Sequence, residues 1–355
     1  MIIAADASLI KSPLSSAFRG FLEGAEKHGA QIFLLDDYSP EDYPNCDLVL
    51  SMGIPNLRFK RHDSIDGNWN IYKRQEQIFK TQAERRSNVL VVENGFLKRE
   101  TPSEYRTYDG SSQNNTSYHS LILNGLNNRG LFSRGDPPRD RWKKLNIDLE
   151  DWKTKGENVI LCGQRNGDSS IQHISKSLGA EYNKIEIAIY NLIRNAIKES
   201  TSYGDVFFRP HPLTPIDQDS YKDVVLSKNY EKPLEFDLEN CALLCTMNSN
   251  ASVEATIKGI PTLVMDEGAM SWGISHTEPD ILHNKNAFKK QSRKRWANNL
   301  AYSQWNSSEM KSGEAFEYIR YLIMEEPCKL TFNKGIPKNE TVAPWEYAFK
   351  QFLLD

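Results

Sequence analysis

The chain has 355 residues, 39% of them hydrophobic and 26% charged, and a formal net charge of −3. That length supports two domains of about 150 to 180 residues, each with its own core, and so weak a net charge excludes a global field that would select polyanions or membranes. The five cysteines, Cys46, Cys162, Cys241, Cys245 and Cys328, lack zinc-ligand spacing, and neither a basic leader nor a long apolar run occurs, so a cytoplasmic protein with reduced core thiols is expected.

In chain order, residues 1–5 read as a strand, followed by a polar turn with Asp6, Ser8, Lys11 and Ser12. A helix over 15–28 comes next, with Phe18, Phe21, Leu22 and Ala25 on one face and Gly29 as its stop. Residues 31–35 and 47–52 read as strands, 72–86 as a charged helix, and 88–92 as a fourth strand whose end carries Glu93-Asn94-Gly95. This is the pattern of a parallel α/β sheet. From Phe96 to Asn158 the periodicity weakens. Tyr105, Tyr108, Asp109 and Gly110 crowd a polar loop, and a loop this long in a compact domain is usually functional. The domain boundary is placed at 149–156.

The second half starts afresh with a strand over 159–162 running into Gly163-Gln164-Arg165-Asn166-Gly167-Asp168-Ser169-Ser170. A helix over 180–200 carries Ile185, Ile189, Leu192, Ile193 and Ala196 at the spacing of a buried stripe. The strand over 206–208 ends in Arg209-Pro210-His211-Pro212. A β-α-β unit follows, with strands over 242–247 and 261–265 around Asn248-Ser249-Asn250 and a helix over 252–258. After Asp280 the chain turns basic: Lys285, Lys289, Lys290, Arg293, Lys294 and Arg295 lie in a segment without an acid, beside Phe288 and Trp296. A helix through Leu300, Tyr302 and Trp305 is expected to pack on the second domain, and the segment from Trp345 to Leu354 to close back over the first.

In an open parallel sheet the three strand ends of the second domain project to one carboxyl edge, where ligands settle. There Gln164, Asp168, Ser169 and Ser170, then Arg209, His211 and Pro212, then Asn248, Ser249, Ser252 and Glu254 form a candidate nucleotide cradle. Arg209 and His211 supply donors for phosphate oxygens, the hydroxyls and a helix N-terminus add neutral donors, and Glu254 accepts from ribose hydroxyls. No P-loop and no GxGxxG is present. Each piece also has a plain structural role open to it. The Ser249–Ser252 turn can serve as an N-cap, the prolines around His211 as a rigid loop, Glu93 as a turn-capping carboxylate, and the basic run as solvated surface.

The GQRNGDSS loop, the RPHP strand end and the SNASVEATIKGIPTLV unit resemble the bacterial capsule-polysaccharide glycosyltransferases, including Kdo transferases. The His-Pro and Ser motifs are similar to those of GT-B sialyltransferases. The C-terminal half, with DRWKKL at 140–145 and WANNLAYSQWNSSEMKSGEAF at 296–316, also resembles a group of proteins often carried by tailed phages. The resemblance implies an α/β GT-B fold of two Rossmann-like domains facing across a cleft. The acceptor-side domain would be 1–150, the donor-binding domain 151–330, and 331–355 would return to the first. It further implies that His211 and Pro212 hold the donor phosphate and that Ser249 and Ser252 bind phosphate or nucleotide. The family's acidic-acidic-glycine motif falls on Glu93-Asn94-Gly95, where the middle position departs. Glu93 is the first candidate for catalytic base, with Asp109 and Asp6 in reserve, because an acceptor hydroxyl must lose its proton as it attacks. Beyond a UDP- or CMP-sugar donor no cofactor or metal is expected.

The expected acceptor is a hydroxymethylated pyrimidine in phage DNA, in host cytoplasm. Six cations at Lys285, Lys289, Lys290, Arg293, Lys294 and Arg295 would bind phosphates. Arg58, Lys60, Arg61, Lys73, Arg74, Arg85 and Arg86 would add to them, and Trp69, Tyr105, Tyr108 or Tyr118 would stack on an extruded base. The alternatives are a capsular or surface polysaccharide acceptor, or an epimerase or binding protein handling a free nucleotide sugar.

Overall fold

The two apolar periods resolve into two α/β units. The computed structural model describes residues 1–11, 15–35, 45–55, 68–98, 117–153, 155–200, 202–214, 216, 219–326, 332–333 and 336–337. Among the described residues the first unit comprises Met1–Leu145 and 297–337, and the second comprises Asn146–Trp296.

The first unit contains β1 (Ile2–Asp6), α1 (Ser15–Lys27), β2 (Gln31–Leu35), β3 (Leu48–Met52), α2 (Asn68–Glu84), β4 (Asn88–Asn94), β5 (Tyr118–Leu123) and α3 (Asp140–Leu145). The second contains β6 (Asn158–Cys162), α4 (Gln172–Leu178), α5 (Tyr182–Glu199), β7 (Val206–Arg209), α6 (Glu235–Leu238), β8 (Cys241–Thr246), α7 (Ala251–Ile257) and β9 (Thr262–Val264). The chain re-enters the first unit through α8 (Lys294–Tyr302), β10 (Gln304–Asn306), α9 (Ser307–Ser312) and α10 (Glu314–Glu325).

The first sheet has the order β10-β5-β4-β3-β1-β2. Strands β1 to β4 are parallel, as expected, but β5 runs antiparallel to β4 and β10 antiparallel to β5. The sequence did not reveal β5 because all six of its residues are buried, so the apolar/polar alternation of a half-exposed strand is missing. Alternate residues feed two cores. Ile3, Leu48, Leu90 and Leu121 meet Phe18, Phe21, Met310 and Phe316, while Ala4, Val49, Val89 and Val91 meet Ile78 and Phe79.

Leu300, Tyr302 and Trp305 belong to the first unit, where the second was expected. Tyr302 and Trp305 belong to the first unit's core, and Trp305 lies in a strand paired with His119. Arg141 explains why. Buried, it donates to the carbonyls of Ala301 (3.1 Å) and Gln304 (2.8 Å) and to Glu309 Oε2 (3.0 Å), with its guanidinium 3.5 Å from the Trp305 ring centroid. Burial alone would push the Glu309 carboxyl up, but Arg141 and Lys144 outweigh it and hold the group below its ordinary range. Gln304 Oε1 also accepts the N–H groups of Phe96 (2.8 Å) and Leu97 (3.0 Å), tying the returning chain to the loop after β4. The segments 140–145 and 296–316 therefore pack on each other. The return expected from 331–355 lies almost wholly outside the described residues.

The second sheet is fully parallel, in the order β7-β6-β8-β9. From β6 the chain first moves to one side for β7 and then to the other for β8, so the strand order reverses between β6 and β8. A crevice opens at such a reversal, beyond the carboxyl ends. The helix α5 buries Tyr182, Ile185, Ile189, Ile193 and Ile197 against this sheet. Cys46, Cys162, Cys241 and Cys245 are buried thiols, and burial pushes Cys46 up to about 11 and Cys241 up to about 12.

Candidate functional site

The reversal point is bridged by side chains. Gln164, just past β6, donates through Nε2 to Asn248 Oδ1, just past β8. Ser170 Oγ donates to the same oxygen (3.2 Å), and Asn248 Nδ2 donates to Ser170 O (3.1 Å) and to Asp266 Oδ1 (2.9 Å). All four hydrogen-bonding positions of the Asn248 amide are thereby used. Asp266 also accepts the Gly268 N–H (2.8 Å), and its Oδ2 pairs with His173 Nε2 (2.8 Å). Asp168 shapes the loop between them by accepting the Ser170 N–H (2.8 Å), and Ser169 is half-buried beside it.

The RPHP loop joins through Asn166, whose N–H donates to Thr214 Oγ1 (3.1 Å). His211 is half-buried, and its Nδ1 accepts the Leu213 N–H (3.1 Å), which puts the neutral ring's proton on Nε2. Pro212 is exposed. Beneath the loop, Gly163 is a glycine because a Cβ there would lie 2.9 Å from both Glu186 Oε1 and the Phe208 ring. Glu186 Oε1 accepts the Gln164 N–H (2.6 Å) and Oε2 the Tyr221 hydroxyl (3.0 Å).

Two expected phosphate contacts are engaged elsewhere. Arg209 donates to Asp237 and to the carbonyls of Asn229 and Lys232, and is buried. It anchors the segment 227–237 instead of supplying the cradle's charge. Ser252 is fully buried with its hydroxyl donating to Ser249 O (2.8 Å), so it closes the turn into α7. Ser249 is half-buried, its Oγ accepting the Ala251 N–H (3.3 Å), and Glu254 Oε1 accepts from Asn250 Nδ2 (3.3 Å).

In the first unit, Asp6 and Glu93 stand at the carboxyl ends of β1 and β4, with β3 between them, hence strands about 10 Å apart. Asp6 Oδ1 accepts the Ser8 N–H (2.8 Å). Glu93 is half-buried against Gly53, where a Cβ would sit 2.7 Å from its Oε1; the left-handed φ of +66° gives a second reason for glycine there. Asp109, Tyr105 and Tyr108 lie outside the described residues, as do Arg58, Lys60, Arg61 and the side chains of Trp69, Lys73 and Arg74. Tyr118 is buried at the start of β5, which removes it as a stacking platform.

The basic run divides. Lys285, Lys289, Lys290, Lys294 and Arg295 are exposed, but Arg293 is buried, donating to the carbonyls of Thr256, Ile257 and Glu150 with its guanidinium 4.3 Å from the Trp152 ring centroid. Phe288 packs edge-on against Trp152, and Trp296 Nε1 donates to Met270 O (2.8 Å). The aromatics of this stretch therefore serve the second unit's core and loops. Among the described residues no group of three metal-ligating side chains occurs and no helix is long and apolar enough to cross a membrane.

Sequence reasoning missed Glu186, Asp266 and His173. Glu186 had a signal, since its place between Ile185 and Ile189 puts a carboxylate on a buried helix face. Asp266 and His173 had none, because only the fold brings them together.

No protein-family model matches the chain, and no curated protein sequence does. Solved structures do. The beta Kdo 2,4 transferase KpsC of Thermosulfurimonas dismutans matches with a TM-score of 0.51 at 14% identity, covering 91% of this chain and 97% of that one. The beta Kdo 2,7 transferase of KpsC from the same organism gives 0.45 at 12%, covering 90% and 99%. The UDP-GlcNAc 2-epimerase of Methanocaldococcus jannaschii gives 0.34 at 14%, covering 90% and 99%. The first of these carries the fold assignment: the chain has an α/β fold of the GT-B kind. The likeness to tailed-phage proteins has no counterpart among these three.

Proposed function

We propose that the chain transfers a glycosyl group from a nucleotide sugar to an acceptor hydroxyl. The observation that carries this reading is the joining of the 163–170 and 248–252 loops through Gln164, Ser170 and Asn248 at the reversal of a parallel sheet. A floor already fixed by mutual hydrogen bonds suits a ligand whose charge changes as its phosphate departs, because its dipoles need not reorganise. In the reaction the acceptor oxygen bonds to the anomeric carbon and the anomeric C–O bond to phosphate breaks. The hydroxyl proton passes to a carboxylate, for which Glu93 remains the first choice, with Asp6 and Asp109 behind it. His211, with its Nε2 proton, is the proposed donor to the leaving phosphate; a leaving group held by protein hydrogen-bond donors predicts activity insensitive to chelators.

The proposed acceptor is a saccharide hydroxyl, in keeping with a fold shared with a Kdo transferase. A second reading, a hydroxymethylated base in DNA, is favoured by the exposed Lys285, Lys289, Lys290, Lys294 and Arg295, although Arg293, Phe288, Trp296 and Tyr118 no longer support it. Incubation with UDP- and CMP-sugars and either oligosaccharides or hydroxymethylated DNA, followed by mass analysis, separates them. Mass gain on saccharide alone is expected. Gain on DNA alone selects the second reading, and epimerisation or hydrolysis without transfer to either refutes both.

A further inference from the structure

The helix α5 carries a carboxyl group into a core it otherwise fills with isoleucine and tyrosine. Glu186 is 5% exposed, and its two oxygens are occupied by the Gln164 N–H and the Tyr221 hydroxyl. Through that N–H it holds the main chain of the residue whose side chain grips Asn248. Tyr182 lies one turn earlier on α5, its buried hydroxyl without a hydrogen-bond partner among the described residues, and it feels Glu186, Asp266, Tyr221 and Asp168, in that order after burial itself. Tyr221 comes from the loop after β7, stacked on Phe208 at 5.4 Å. Among the described residues no cation contributes to the ionisation of Glu186, and burial pushes its carboxyl up to about 7 against the opposing pull of its two hydrogen bonds.

We propose that Glu186 is a positioning residue for the Gly163–Gln164 turn, and that anionic ligand binding above that turn is coupled to proton uptake by this carboxyl group. The inference rests on the nucleotide-binding reading of this edge. An uncompensated buried carboxylate opposes a phosphate brought close to it, and taking up a proton removes the opposition. The partners tolerate the change. The protonated oxygen can donate to the Tyr221 hydroxyl oxygen while the other oxygen keeps the Gln164 N–H, so the turn stays in place in both states.

The sign follows from linkage. A ligand that favours the protonated form raises the group's affinity for protons, so binding takes up protons between the free and bound titration points, and not far below or above them. Calorimetry with UDP and with CMP, in buffers of different ionisation enthalpy, counts those protons. Glu186→Gln, which keeps both hydrogen bonds and cannot titrate, subtracts the contributions of the nucleotide phosphate and of His211. Near neutral pH the unaltered chain should take up more protons than this variant, by up to about one, with the excess vanishing at about pH 5 and about pH 9. Tyr221→Phe removes a donor to the ionised form and should move the pH of maximum proton uptake above that of the unaltered chain; compared directly with the unaltered chain, it decides the matter if the glutamine variant fails to fold. Nucleotide binding with no excess uptake, or a Tyr221→Phe maximum that does not move, overturns the inference alone. If neither nucleotide binds the unaltered chain, the nucleotide reading falls and this inference with it.

Discussion

The carboxyl edges of the two sheets carry polar residues in opposite styles. In the second unit the side chains reach across loops to one another: Gln164 to Asn248, Asn248 to Asp266, Asp266 to His173. In the first unit side chains reach main chain instead: Asp6 Oδ1 accepts the Ser8 N–H two residues on, Gln75 Nε2 donates to Met52 O at the end of β3, and Gln304 Oε1 accepts the N–H groups of Phe96 and Leu97. The buried titratable groups differ too. Glu186 in the second unit is pushed up to about 7 and His119 in the first is pushed down to about 4, both chiefly by burial.

The strongest way to break the contrast is at Arg141. Arg141→Ala would leave Glu309 buried without its main cation and two carbonyls without donors, at a cost of about 3–5 kcal/mol. Denaturant unfolding should register that loss, and amide exchange should show 297–326 opening before the β6–β9 sheet. An unchanged midpoint would mean the clasp is dispensable.

Next in size are the two opposite pH dependences. A folded-state Glu186 near 7 binds its proton more tightly than the unfolded chain, so its stabilising effect is present at low pH and lost as pH rises from about 4.5 to about 7. A folded-state His119 near 4 refuses a proton that the unfolded chain accepts, so stability is lost as pH falls from about 6.5 to about 4. Each corresponds to about 3 kcal/mol at most. Glu186→Gln should flatten the first slope and His119→Phe the second, each leaving the other in place. If both variants shift the same limb of the stability profile, the contrast is wrong.

The smallest effect belongs to the exposed lysines of the basic run. Serine at Lys285, Lys289, Lys290 and Lys294 should change stability by no more than about 0.5 kcal/mol, whereas Arg293→Ser, which strips donors from three carbonyls, should cost about 2–4 kcal/mol. Urea midpoints compare them, and equal losses would return Arg293 to the surface.

Much of the fold was legible because parallel strands and amphipathic helices leave periodic traces: β1 to β4, β6 to β9, α1, α5 and α7 lie where the apolar spacing put them. The misses share a cause. The strand β5 is buried on both faces, β10 has only three residues, and both owe their place to pairing with distant chain. Of the site, the loops that meet were readable from strand ends, but the use made of each side chain was not. Arg209 and Arg293 look in sequence like charges offered to a ligand, and the fold turns both inward onto carbonyls. Conversely, Asp266 and His173 lie 93 residues apart and acquire meaning only through their contact.

The central claim is that the edge built around Gln164 and Asn248 grips a nucleotide. Amide exchange of the full chain, with and without a saturating nucleotide or nucleotide sugar, tests it most directly. The account predicts slowed exchange at 163–170, 211–214 and 246–252, with the Arg141 clasp unchanged. Saturating ligand that leaves those three stretches unprotected, or protects only the first unit, would contradict it.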